Sequence, residues 1–409
     1  MKIIKFKCSL TIMLLFFSFF AMSQEKVMTL EVVNKSTLQR HEIVALSLGR
    51  IIKGLDLHDK QSFVIRKINN MDVEYQICHD NQVIFEADVR PESKTIYYIK
   101  RGLPLKHESH VKGGIYKDRK DDIAWENDRG AYRIYGPALQ HSGEKAYGID
   151  IWVKNTPELV VANRYKMDKA GSIENKQLRD NGYITSADSI NLLTSFHIDH
   201  GNGYDPYQVG PTLGCGAPAL MKEGKLIMPW CYDKYNILDN GPLRFTVSLT
   251  YKPTIIDGKK VTEHRIISLD KGSFFNHITV WYNGLPDNYD VAAGVVVHSA
   301  DSTTTYLGKN YVQYADPTDN IEINNSQVYV ACIFPESIDT TTYLHYTEKP
   351  SEYTGHLVGI KKNIHDEQKF NYYSGASWSN GFVYSQKMWQ LCIDEFIQKY
   401  KNPLELIIK

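Results

Sequence analysis

LRFTVSLTYKPTIIDGKKVTEHRIISLDKGSFFNHITVWYNGLPDNYDVAAGVVVH, residues 243–298, sets the fold class. β-Branched and aromatic residues crowd LRFTVSLTY, EHRIISLD, NHITVWY and DVAAGVVVH, and Asp257-Gly258, Asn283-Gly284 and Pro286-Asp287-Asn288 punctuate them. Such side chains fit a pleated, half-buried surface, while Asp-Gly and Asn-Gly pairs adopt the backbone angles of tight hairpins. The stretch therefore reads as successive antiparallel strands. TTTYLGK, YVQYAD, QVYVACIF and YLHYTE continue the pattern toward the C-terminus. Only the tail, SQKMWQLCIDEFIQKYKNPLELI, has helical spacing, with Met388, Leu391, Cys392, Phe396 and Ile397 on one side, and it is expected to cover the sheet.

Toward the N-terminus, MTLEVVN, HEIVALSL, SFVIRKI, VEYQICH, QVIFEADV and TIYYIKR recur with turn residues between them. That spacing predicts a small sandwich over residues 24–101. Residues 102–122 are charged and aperiodic and read as a linker, leaving 123–409 as a larger β-rich domain. Asn163 to Asn191 is polar and reads as a surface excursion. Residues 1–23 join a basic start (Lys2, Lys5, Lys7) to an apolar run ending Ala21-Met22-Ser23, the pattern of a cleaved export signal. The expected product is periplasmic or extracellular, with no membrane span.

Lys plus Arg equals Asp plus Glu at 47 each, which argues against a nucleic-acid partner because phosphate binding needs a net basic surface. Aromatic content of 12%, with 27 tyrosines, suits sheets and sugar-stacking faces. Cys78, Cys215, Cys231, Cys332 and Cys392 are irregularly spaced, and an odd number excludes complete pairing, although Cys215 and Cys231 could bridge. The chain lacks GxGxxG, P-loop, GxSxG and HExxH patterns, so no nucleotide cofactor is expected.

Chemistry concentrates in TSFHIDHGNGYDPYQVGPTLGCGAPALMKEGKLIMPWCYDKY, residues 194–235. If Phe196 to Asp199 is extended, His197 and Asp199 share a face and His200 begins a turn. An imidazole beside a carboxylate is held in one tautomer and suits proton transfer near neutral pH. Tyr207 adds a phenol, and Asp199 with Asp205 offers the alternative of a carboxylate pair for glycoside hydrolysis. His197, Asp199, His200 and Tyr207 are the catalytic candidates. The HxDH run could also hold a divalent cation. Trp125, Glu126, Arg129 and Arg133 in DDIAWENDRGAYRIYGPAL form either a turn fixed by an Asp–Arg pair or a ligand edge, with an arginine forking onto a carboxylate and Trp125 stacking on a sugar. AYRIY alternates, placing Tyr132 and Ile134 on one face and Arg133 and Tyr135 nearer the other. Trp230 and Tyr232 either pack beneath the loop or form a sugar platform.

AWENDRGAYRIYGPAL, GIDIWVK, HIDHGNGYDPYQVGPTLGCG, NGPLRFTVSLTY and ISLDKGSFFN, in that order, resemble a family of secreted proteins from polysaccharide-degrading bacteria. That resemblance implies a β-supersandwich similar to the galactose-mutarotase-like fold, in the company of enzymes that dismantle pectin and other acidic glycans. The combined expectation is an exported carbohydrate-active protein acting on an acidic oligosaccharide or polysaccharide. β-Elimination by a His/Tyr pair comes first, with hydrolysis, sugar epimerisation or mutarotation, and noncatalytic glycan binding as alternatives.

Overall fold

A computed structural model describes residues 26–299, 304–317, 326–336, 338–346 and 353–409. The expected export signal, residues 1–23, lies outside the described residues. The chain is mostly β: a small N-terminal sandwich, a large antiparallel sandwich, and a C-terminal helix. In the N-terminal sandwich, Val27–Asn34 lies between Ser93–Arg101 and the last strand of the chain, Glu405–Ile408. The register Leu30↔Ile408 gives this small sheet an edge strand from a stretch that the sequence assigns to the larger unit. Alternate residues Leu30, Val32, Tyr97 and Ile99 point inward and meet Val83, Phe85 and Ala87 of the facing three-stranded sheet.

The large sandwich packs a five-stranded sheet against a nine-stranded one. The Arg244–Tyr251, Lys259–Asp270, Phe275–Asn283 and Phe370–Trp378 strands run side by side in the latter. Val247, Leu249, Ile267, Leu269, Ile278 and Val280 from that sheet meet Val291, Val295 and Val358 from the other. Cys215 and Cys231 are both free, so the possible bridge does not form. Helix Gln386–Lys401 starts at Ser385, whose side chain accepts from the Met388 N–H, and buries Trp389, Ile393 and Ile397 on Phe275, Tyr329 and Ala331. Leu391, expected on that buried face, is exposed instead, because Trp389 and Ile393 turn the stripe away from it. Among the described residues no helix is long and apolar enough to cross a membrane.

A four-stranded sheet, in the order Ile149–Trp152, Ala131–Ile134, Asp122–Glu126 and Lys112–Tyr116, positions the candidate site. Its last strand falls inside the stretch read as a linker. One face (Ile123, Trp125, Tyr132, Ile134, Ile149, Ile151) joins the main core. The other face carries Asp122, Glu126, Arg133, Asp150 and Trp152, every one of them buried. Their cover is supplied by helix Val161–Asp180, against which helix Ile184–Thr194 packs, where the sequence predicts a polar excursion. The first helix buries only Val161, Arg164, Tyr165 and Gly171, so its inward stripe is short and half polar, and no apolar period announces it.

Candidate functional site

Strand register brings Arg133 directly opposite Asp150 on the covered face. Arg133 Nη2 lies 2.5 Å from Asp150 Oδ2, 2.8 Å from Asp205 Oδ2 and 3.1 Å from the Tyr135 hydroxyl, while Nη1 stands 3.8 Å from Asp122 Oδ2. The guanidinium is also stacked among rings, with centroids of Tyr135, Trp152 and Phe196 at 4.7, 5.2 and 5.7 Å. Burial pushes the Asp150 carboxyl up to about 8, with Asp205 adding to the rise and Arg133 opposing it. Burial likewise raises Asp122 to about 6 against the pull of Arg133 and Arg119. Burial thus biases Asp150 toward its protonated form. Asp122 Oδ1, Asp150 Oδ1 and Arg133 Nε and Nη1 are buried without a hydrogen-bond partner, an uncommon concentration of unmet polar atoms of the kind found at functional clusters.

His197 stands where this cluster reaches solvent. Its side chain is 54% exposed, and Nδ1 lies 3.1 Å from the Asp205 carbonyl oxygen and 3.6 Å from Asp205 Oδ2. The Phe196 ring separates inside from outside: Arg133 approaches it from the cluster, His197 lies 4.5 Å from its centroid, and the Arg119 guanidinium sits 5.4 Å away. Half-buried Asp168, on the covering helix, completes the mouth. Burial raises its carboxyl above the usual range, while Arg119, His197 and the Phe196 backbone N–H pull it down. Arg119, Asp168, Asp122 and Asp150 were not among the residues picked from the sequence. Asp150 carried a signal, a carboxylate alternating with isoleucines in GIDIW; Arg119 and Asp168 carried none.

The other candidates have structural employment. Residues 195–200 turn rather than extend, so His197 and Asp199 do not share a strand face. Asp199 Oδ1 accepts the Gly201 and Gly203 N–H groups at 2.9 and 2.8 Å, and His200 Nε2 faces the Ser195 carbonyl at 2.9 Å. These separate backbone contacts keep Asp199 and His200 from converging with His197 on a cation. Asp199 and Asp205 do not form an accessible hydrolytic pair either, since Asp205 is walled in beside Arg133. Tyr207 packs in the main core, edge-on to His298 at 5.5 Å, and burial drives its phenol far above the ordinary range, which removes it as a proton carrier at the mouth.

Trp125 is a core residue and no sugar platform: fully buried, it donates Nε1 to Asn276 Oδ1 at 2.7 Å and stacks on Phe245. Glu126 accepts the backbone N–H groups of Val160 and Val161 at 2.9 and 2.8 Å and pairs with buried Lys154 at 2.8 Å, so it anchors the start of the covering helix. Arg129 spreads over Phe274 and Phe382. Buried Arg133 holds protein carboxylates, not a ligand. Tyr232 is buried and donates to the Asp121 carbonyl, which leaves Trp230, half exposed, without its expected partner.

The chain belongs to the family described as Domain of unknown function (DUF4861), whose model matches residues 32–406. It is 24% identical over 389 residues to Uncharacterized protein P7 of Formosa agariphila, across 92% of this chain and 89% of that one. A solved protein in the glycosyl hydrolase family 38 from Enterococcus faecalis superposes with a TM-score of 0.50 at 7% identity, over 95% of this chain and 48% of that chain. An α-mannosidase from Enterococcus faecalis V583 gives a TM-score of 0.48 at 8% identity, covering 94% and 46%. The chain thus spans about half the length of these structures, and its likeness to the glycosyl hydrolase family 38 protein is one of fold.

Proposed function

We propose that this protein is an exported carbohydrate-active enzyme that cleaves uronic-acid-containing glycans by β-elimination at the His197 mouth. The observation that carries the reading is the meeting of an imidazole, a guanidinium and a carboxyl around the Phe196 ring at a solvent-reached edge. His197, held through Nδ1 by Asp205, presents Nε2 to abstract the proton α to the uronate carboxylate. Arg119 binds that carboxylate and stabilises the charge that develops on it as the C–H bond breaks. As the bond from the β-carbon to the glycosidic oxygen breaks, Asp168 donates its proton to the departing oxygen. Its raised carboxyl suits a donor. The Arg133–Asp150–Asp205 cluster orients His197 from below and touches no substrate. The basic, then apolar, start of the chain supports export, and the fold shared with a glycosyl hydrolase family 38 protein supports a carbohydrate substrate.

Incubation with polygalacturonate, alginate and glucuronic-acid-containing polymers tests this. The expected result is the ultraviolet absorbance of an unsaturated uronide on one of them, reduced about 10²- to 10⁴-fold in His197→Ala. New reducing ends without that absorbance would mark a hydrolase, and retention without product a binding protein. Full turnover by His197→Ala would sink the catalytic assignment.

A further inference from the structure

A cavity of about 430 Å³ opens where strand Arg40–Ser47 of the N-terminal sandwich, the turn after strand Lys259–Asp270, and helix Gln386–Lys401 come together. None of the residues assigned to the His197 mouth lines it. Its volume is that of a small-ligand site. Part of the lining is aromatic. His277 and Tyr373 stack with ring centroids 4.8 Å apart at 21°, and Phe396 and Tyr400 meet Tyr373 edge-on at 4.7 and 5.9 Å.

The remaining lining is polar and electrically matched. Arg244 forks onto Asp270 with Nε–Oδ1 at 2.5 Å and Nη2–Oδ2 at 2.8 Å, and Lys399 pairs with Glu395 at 2.6 Å. Lys271 and His41 both reach Glu86, at 3.0 and 2.7 Å, and Glu42 is held by Arg40 at 2.7 Å. An ionic ligand meets no unmatched counter-charge here and has to break an existing pair, at the cost of leaving a partly buried charge alone. A neutral ligand that has hydroxyls at its edge and C–H groups on its face gains both kinds of contact without breaking any pair.

We propose that this cavity is a second glycan site that takes about one or two neutral pyranose units. The C–H face of a ring lies on the aromatic lining, and the hydroxyls bond the spare oxygens and N–H groups of the ion pairs. Because Glu42 and Ile43 come from the small sandwich and Arg244 and Tyr373 from the large one, the occupant bridges the two. This site stands apart from the elimination reading and does not rest on it.

Calorimetric titration with cellobiose, mannobiose, galactobiose and xylobiose, and with digalacturonate as a charged comparator, tests the proposal. At least one neutral disaccharide is expected to bind and to raise the melting temperature. Tyr400→Ala and His277→Ala weaken that binding about tenfold, the loss of one stacking contact. Tyr400 is partly exposed, so its truncation leaves the fold intact even if His277→Ala does not fold. His197→Ala leaves neutral-sugar binding unchanged, and Tyr400→Ala leaves turnover of acidic glycan unchanged. The proposal is overturned if none of the four neutral sugars binds, or if Tyr400→Ala binds as the parent does. It is equally overturned if His197→Ala loses the neutral sugar while Tyr400→Ala keeps it.

Discussion

Replacing Asp150 by asparagine isolates the energetics of the buried cluster. The carboxyl is pushed up to about 8 in the folded protein from an ordinary 3.8, because it lies out of water beside Asp205. Between those limits the folded state holds a proton that the unfolded chain has released, so stability falls as pH rises from about 4 to about 8 and levels off above. The slope is about 1.4 kcal/mol per pH unit, and the whole span amounts to about 6 kcal/mol. Asparagine keeps an oxygen to accept from Arg133 and an NH₂ in place of the acidic proton, but it cannot ionise. The stability of the variant relative to the parent should therefore climb by about 3 kcal/mol between pH 5 and pH 7. Asp122, displaced in the same direction to about 6, is present in both proteins and largely cancels in the difference. Urea unfolding of both proteins at several pH values and one ionic strength measures that difference directly. Parallel pH curves for the two proteins would refute the assignment of Asp150 as a proton-holding acid, whatever the offset between them.

Glu126→Ala removes the acceptor for the first N–H groups of the covering helix and leaves Lys154 without its carboxylate. A loss of about 3–5 kcal/mol is expected, with limited proteolysis entering residues 161–194 before the sheets. Gly203 has φ +95° and its added Cβ would lie 2.0 Å from the Val153 carbonyl oxygen, so Gly203→Ala should displace the turn that carries Asp205. The measurable result is a lowered melting temperature, together with displaced His197 imidazole resonances in NMR spectra.

Period-two patterning made most of the fold legible, because strands with one buried face repeat their chemistry every second residue. LRFTVSLTY and EHRIISLD are strands as read, and AYRIY does separate Tyr132 and Ile134 from Arg133. What misled at Trp125 and Tyr232 was their charged company and not the period. An aromatic next to charged residues looks like a ligand platform, yet alternation puts the aromatic inward whenever its neighbours face out, and Trp125 follows that alternation into the core. The helical cover escaped notice because what it buries is a guanidinium and a phenol rather than a leucine stripe. The helix lies over a face that mixes Asp122, Arg133 and Asp150 with Ala124, Ala131 and Trp152, and it meets that face chiefly through Val161, Arg164 and Tyr165, too short a stripe to announce an apolar period. His197 and Asp205 were picked for their proximity in sequence, but Asp150 and Asp168 join them only through sheet register and helix docking. For a cluster of this kind, an acidic residue alternating with isoleucines in a short strand is the better signal, because an apolar strand admits an acid on its covered face only where a polar partner such as Arg133 stands opposite.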